Sequence, residues 1–444
     1  MKKALVLLLL FSGLTFGQFQ PPNPNEGLLG GGFGLTWIDG QPFYAVHVNP
    51  EFAFANMGIG LDLNLEFSSD GKLRTENFNE FTDYLSIIRY FRYGKKGDPV
   101  YFRIGALDYA TLGHGSIMYA YNNSPTYDAR RVGMELDIDM NQFGFEAVYG
   151  NFLQAGVIGV RGYVRPMKFT ALGSIPVIGN LEIGATGVSD FNQNAAVTRS
   201  NYNSQTHSYE PADKGSVTAV GVDVGLPIIR SSVFNFDLYY DFAKILDYGS
   251  GSAAGAILKF HGLGIVDVTA KLERRINQDH YIPSYFNSMY EIERFRMDTT
   301  TGVVTSKVQQ LAAAQTSLGN GWYGGLLVKV FGTFDIVGSY QRLDEAPESG
   351  ILHMSTDISP KDMSFIARAG YDKINIKDEK DLFTLDDRSY LFAELGYKPL
   401  PYLIVSMVYN WTFTPIRDAD DNIIGYEPQK KIEPRISLAY PINL

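Results

Sequence analysis

The sequence predicts an all-β chain folded as an antiparallel transmembrane β-barrel of about 18 strands, within a range of roughly 16–20. Three observations carry this. Many segments of about ten residues alternate apolar and polar side chains, the period of a strand with one greasy and one wet face. The chain is rich in glycine and aromatics (45 Gly, 28 Tyr and 29 Phe in 444 residues), and only 19% of it is charged. Beyond the first residues there is no run of roughly 18 uncharged apolar residues that would make a membrane helix.

The chain divides into three parts. Met1–Gly17 reads as a secretory signal peptide, with Lys2 and Lys3 before the apolar run Ala4–Leu10 and the small residues Thr15 and Gly17 before a cut at Gln18. Residues 18–55 form an N-terminal segment inside or at the mouth of the barrel, and residues 56–444 form the barrel. Within the segment, Gln18–Gly32 is Pro-, Asn- and Gly-rich. Gly32–Val48 has two arrangements open to it: a hairpin turning at Asp39-Gly40, or a stretch tucked into the barrel mouth. The chain has no Cys, hence no disulfide and no lipid-modified Cys anchor.

Regular alternation starts at Asn56. Met57, Ile59, Leu61, Leu63, Leu65 and Phe67 alternate with Gly58, Gly60, Asp62, Asn64 and Glu66, enough to cross a bilayer when tilted. The pattern recurs over 132–141, 234–242, 266–273 and 403–413. Short connections near 94–99, 141–142, 174–180, 227–231, 261–264, 331–333, 359–362 and 398–401 take turns with longer polar ones at 68–80, 110–129, 190–215, 276–320, 373–387 and 414–428. Aromatics gather near the inferred strand ends: Tyr90, Phe91 and Tyr93; Phe143 and Phe145; Phe331 and Phe334; Tyr409, Trp411 and Phe413. They suit interfacial girdles, and equally the general preference of aromatics for strands.

The last fourteen residues alternate to the final position, with Ile432, Pro434, Ile436, Leu438, Tyr440, Ile442 and Leu444 on one face. Such a strand zips against the first strand of a closed barrel. This end resembles the terminal strand of Gram-negative outer-membrane β-barrel proteins, the porin-like class. The resemblance implies short periplasmic turns, long outer loops, an even strand number, a place in the cell outer membrane, and contact with outer-membrane lipid and lipopolysaccharide.

A barrel this wide leaves an aqueous lumen unless something fills it. The wet faces then supply pore-lining candidates: Asp62, Glu66, Glu135, Asp137, Asp139 and Glu146 as acidic rows, and Arg161 and Arg165 on the next strand. Arg89, Arg92 and Arg103 precede them, with inside and outside harder to assign. Opposed rows set a transverse field that selects solutes, or they pair and stiffen the wall. The loop 276–320 opens with Tyr281, Tyr285, Phe286 and Tyr290 and continues into an expected helix, Val303–Leu318, with Val304, Val308 and Leu311 at helical spacing. This loop either folds back to narrow the pore or offers a surface pad for a protein partner.

Other chemistry is sparse. The net charge of −10 argues against a nucleic-acid partner. The six His residues show no metal-ligand spacing, and Asp418–Asn422 lacks the glycine of a calcium loop, so no metal and no cofactor are expected. Gly30–Gly34 does not open a helix, so it is no phosphate loop. His114 stands between Gly113 and Gly115, next to Ser116, the one compact hint of a rim hydrolase. The expected function is an outer-membrane channel for small hydrophilic solutes, narrowed by the 276–320 loop and not an enzyme. The alternative is a scaffold or secretion-associated barrel that docks a partner protein; a barrel-rim hydrolase ranks below both.

Overall fold

The computed structural model describes residues 27–442 except 77, 80, 129, 204, 263–264, 298–302, 314–318, 332–333, 347, 359–363 and 421. The signal peptide expected at Met1–Gly17 and the final residue Leu444 lie outside the described residues. Among the described residues one large sheet holds twenty-two strand pieces. Two spans are each broken into two pieces, so the wall has twenty spans in chain order.

The spans are β1 (Gly27–Ile38), β2 (Gln41–Val48 continued by Glu51–Phe54), β3 (Met57–Leu61 continued by Leu63–Phe67), β4 (Ile88–Tyr93), β5 (Val100–Gly105), β6 (Gly133–Asp139), β7 (Phe143–Tyr149), β8 (Val157–Val164), β9 (Glu182–Asp190) and β10 (Val217–Arg230). Then come β11 (Phe234–Ile245), β12 (Ser250–Gly262), β13 (Val266–Asn277), β14 (Gly321–Val330), β15 (Phe334–Leu343), β16 (Gly350–Ile358), β17 (Phe365–Ile376), β18 (Ser389–Leu400), β19 (Leu403–Arg417) and β20 (Ile423–Ile442). Each span pairs antiparallel with the next, and β20 pairs antiparallel with β1, from Gly27↔Ile442 to Ile38↔Lys431. The wall is therefore a closed ring without a free edge, which satisfies the backbone groups that hydrocarbon cannot.

Among the described residues the wall thus already includes Gly27–Phe54, ahead of the expected start at Asn56. Gly32–Val48 takes the hairpin arrangement, turning at Asp39-Gly40 with Ile38 opposite Gln41. The physical reason is the glycine run. A Cβ at Gly32 would stand 2.6 Å from the Ile436 carbonyl oxygen, and one at Gly34 2.5 Å from that of Pro434. Side chains here would push β1 off β20. Pro434 still leaves a mark: the ladder skips Leu35 and Thr36 and resumes at Trp37↔Ile432 in the same register, as expected where a donor is missing.

The alternation sorts as the period-two pattern requires. Phe33, Val222, Leu238, Leu326, Leu395 and Leu438 are exposed on the outer face, while Glu66, Asp241, Glu273, Lys373 and Glu433 are buried inside. Four details differ from expectation. The 414–428 stretch is not a long loop, because β19 and β20 stay paired out to Arg417 and Ile423. The β8–β9 connection is not a short turn and contains three 3-10 turns between Pro166 and Asn180. Tyr90 and Phe413 are buried and join no outer girdle. The helix expected over Val303–Leu318 is described as Val308–Ala313, and Val304–Ser306 instead pairs with Phe295–Met297. The β-branched run Val303-Val304-Thr305 explains the strand, and residues 314–318 lie outside the described ones.

The seam predicts its own test. Gly32→Val and Gly34→Val each force a Cβ into a strand backbone, an overpacking that costs about 1–3 kcal/mol or more. Both should lower the fraction of protein that migrates as the compact, unboiled form in SDS gels. Unchanged migration in both variants would show that the glycines are not needed for closure.

Candidate functional site in the barrel lumen

The pore-lining candidates all face inward and find partners. Asp62 takes Arg130 at 2.7 Å, and Glu66 takes Lys431 at 2.9 Å and Arg74 at 3.3 Å. Lys96 pairs with Glu135 and lies 3.4 Å from Asp137. Arg161 bonds Glu146 at 2.9 Å, Glu182 at 2.8 Å and both oxygens of Asp223, at 2.6 and 2.9 Å. Arg165 joins Asp139 at 2.8 Å to Glu182 at 2.9 Å. Acidic and basic groups therefore meet inside the wall, with Lys96 shared by two carboxylates and Arg161 by three, so carboxylates outnumber cations around Lys96 and Arg161. Of the earlier arginines, Arg92 and Arg103 are buried inside, Arg103 on Asp108 at 2.7 Å.

Two connections leave the wall and enter the lumen. The first is 106–132, between β5 and β6. Gly105, at φ +127°, turns the chain inward; a Cβ there would stand 2.3 Å from the Arg89 carbonyl oxygen. The second is 278–320, between β13 and β14. Tyr281, Tyr285, Phe286, Tyr290, Val304, Val308 and Leu311 are all 3% exposed or less. All but Val304 pack with Leu112, Ile117, Met118 and Tyr121 of the first connection and with Val148, Val157, Val188 and Val217 of the wall in one apolar cluster. Backbone bonds stitch the two together: Ser284 N–H donates to Ser116 O at 2.9 Å, Phe286 N–H to Ile117 O at 3.1 Å, and Tyr119 N–H to Phe286 O at 3.0 Å.

Three carboxylates on separate strands hold this unit to the wall. On β17, Asp372 accepts from Tyr109 Oη at 3.2 Å and Ser288 Oγ at 2.8 Å, one from each connection. On β9, Asp190 accepts from Tyr290 Oη at 2.8 Å and Arg294 at 2.6 Å. On β11, Asp241 accepts from Ser116 Oγ at 2.5 Å and contacts His114 Nδ1 at 2.8 Å. A chain tied to β9, β11 and β17 spans the lumen. Below it, toward the short turns, lies a cavity of 240 Å3 lined by Lys96, Asp137, Glu146, Tyr163, Lys271 and Tyr323, among others.

Glu291 links the two connections, accepting from Tyr121 Oη at 2.5 Å and from Arg131. Burial penalises its charge, but the Arg131 and Arg294 guanidiniums and the Tyr121 hydroxyl outweigh that and hold its carboxyl below the usual range.

The His114 group has other work. His114 stacks on Tyr239 at 4.0 Å, and its carbonyl accepts from Lys271 at 2.5 Å. Asp241 sits between His114 and Ser116, whereas a nucleophilic relay needs the imidazole in the middle. Ligand atoms of His114, Asp223 and Asp241 lie within 4.8 Å of one another, but Arg161 occupies both Asp223 oxygens, which opposes a divalent cation there.

The second connection is legible in the sequence from its aromatics. The first carries a weaker signal, because its Tyr109, Met118 and Tyr121 are dispersed among Gly, Ser and Asn. The tethers Asp190, Asp241 and Asp372 carry no local signal, because their partners come from more than 80 residues away.

No protein-family model matches the chain, and no curated protein matches it. Similar solved structures include Pseudomonas aeruginosa OpdK with vanillate, at 12% identity and TM-score 0.32, covering 94% of this chain and 97% of that one. Another is the outer membrane protein OprD from Pseudomonas aeruginosa, at 11% identity and TM-score 0.29, covering 94% and 93%. Acinetobacter baumannii OccAB2 aligns at 8% identity and TM-score 0.30, covering 94% and 98%.

Two outcomes follow from the tethers. Asp190→Asn removes a charged acceptor worth about 1.5–3 kcal/mol, so amides 285–297 should exchange hydrogen about tenfold faster or more; unchanged protection would show that Asp190 does not hold the connection. Because the Glu291 carboxyl lies below its ordinary value, its contribution is full above that value and is lost as pH falls through the folded one. Near-UV circular dichroism from the lumenal tyrosines should therefore persist from pH 7 to roughly pH 5 and fade only below about pH 4. Loss between pH 7 and 5 would contradict this.

Proposed function

We propose that the protein is an outer-membrane channel for small hydrophilic solutes, whose passage is restricted by the two connections that fold into the lumen. The apolar outer face and closed wall support the membrane placement. The observation that carries the reading is the way the lumen is filled. The obstruction is held to the polar wall by hydrogen bonds and ion pairs at Asp190, Asp241 and Asp372, with a cavity beneath it. Such contacts can break and reform while the wall stays closed, as a narrowing or gating element requires. The burial of Tyr281, Tyr285, Phe286 and Tyr290 favours this over a docking pad, since these residues offer a partner protein no surface.

The absence of Cys makes a clean test available. Ser288 Oγ donates to Asp372 Oδ1 at 2.8 Å, so cysteines at the two positions put two thiols on facing side chains, and thiol titration checks that they join on oxidation. In planar bilayers, S288C/D372C should conduct several-fold more when reduced, with the tether absent, than when oxidised. Equal conductance in both states would remove the gating reading, and no conductance in either state or in the unaltered protein would remove the channel.

A further inference from the structure

The β8–β9 connection, residues 165–181, stands apart at its end of the barrel, where the other strands are separated by only a few residues. It folds as three successive 3-10 turns, Pro166–Phe169, Ala171–Ser174 and Ile178–Asn180. It is compact: a Cβ at Gly179 would stand 2.5 Å from the Gly173 carbonyl oxygen, and Gly179 N–H donates to Ile175 O at 2.9 Å. Yet its apolar side chains point away from this knot. Phe169 is 58% exposed, Leu172 46%, Ile175 42% and Ile178 49%.

Val177 shows that this shape is imposed. Its φ of +71° and ψ of −75°, with Ile178 N–H donating to Pro176 O at 3.0 Å, make a γ-turn of the rare, strained hand. A β-branched residue is costly there. The turn keeps Ile175 and Ile178 outward, where water alone would favour collapse.

We infer that this connection is a membrane foot, which seats Phe169, Leu172, Ile175 and Ile178 in the lipid interface at the short-turn end of the barrel. Two observations select lipid as the occupant. The patch is continuous with the greasy outer face, since Met140, Phe143 and Ile183 on the adjoining strand ends are exposed as well. From 166 to 181 the chain carries Lys168 and no carboxylate, which suits a surface of phosphate headgroups. The inference rests on the membrane placement proposed above and adds a fixed depth and orientation to it.

The test uses single cysteines labelled with bimane, in the full chain, reconstituted in phosphatidylethanolamine–phosphatidylglycerol vesicles with iodide on both sides. Leu172→Cys and Ile175→Cys read the foot, Val222→Cys the mid-wall lipid face, and Lys95→Cys a turn at the same end. Labels at 172 and 175 should be quenched by lipids brominated near the glycerol backbone, and at least threefold less by iodide than the label at 95. Strong iodide quenching at 172 and 175, with lipid quenching kept at 222, overturns the foot but leaves the barrel in the membrane. Loss of lipid quenching at 222 overturns the membrane placement itself. Shielding at 172 and 175 from both quenchers would put protein there, and would also overturn the proposal.

Discussion

Every backbone donor and acceptor that crosses hydrocarbon needs a partner within the protein, and the rest of this structure follows from how that is met. Consecutive spans pair around the wall, and the last returns to the first along Gly27–Ile38 and Lys431–Ile442. The glycines at 32 and 34 let those two strands approach, and Pro434 costs only a local gap in the ladder. Closure then fixes which face is which. The same period that exposes Phe33 and Leu438 turns Lys431 and Glu433 inward.

Twenty spans enclose a lumen too wide for wall side chains alone to fill. The chain meets this in two ways. Inward charges pair with each other along the wall, as Arg161 does with the carboxylates of Glu146, Glu182 and Asp223. Two connections also fold inside and build an apolar core of their own from Met118, Tyr121, Phe286 and Tyr290 against the upper wall. The core gives this unit its shape, and the carboxylates Asp190, Asp241 and Asp372 give it its position. The wall is held by backbone ladders, and the obstruction by side-chain bonds at these carboxylates together with apolar packing on Val148, Val157, Val188 and Val217, so the second can loosen while the first remains intact.

Much of this was legible in the sequence, for a physical reason. Period-two alternation is a local property, so spans such as Met57–Phe67 and Phe234–Phe242 announce themselves one at a time. The aromatic start of the 278–320 connection was likewise too apolar for a solvated tip. What stayed hidden depends on distant partners. Asp372 is one aspartate among many until Tyr109 and Ser288 arrive from the two lumenal connections. Val303–Thr305 lay beside a good helical pattern, and its β-branched residues pair with Phe295–Met297 instead. The β8–β9 connection looked like one more turn because Gly173, Ser174, Pro176 and Gly179 are turn residues; only the outward set of Phe169 and Leu172 distinguishes it.

The account stands on a filled lumen, and an experimental density map of the protein in lipid reads that directly. It should show continuous chain density across the barrel at the level of Met118 and Phe286, tied to the wall at Asp190, Asp241 and Asp372. An empty bore, with both connections projecting beyond the strand ends, would contradict it.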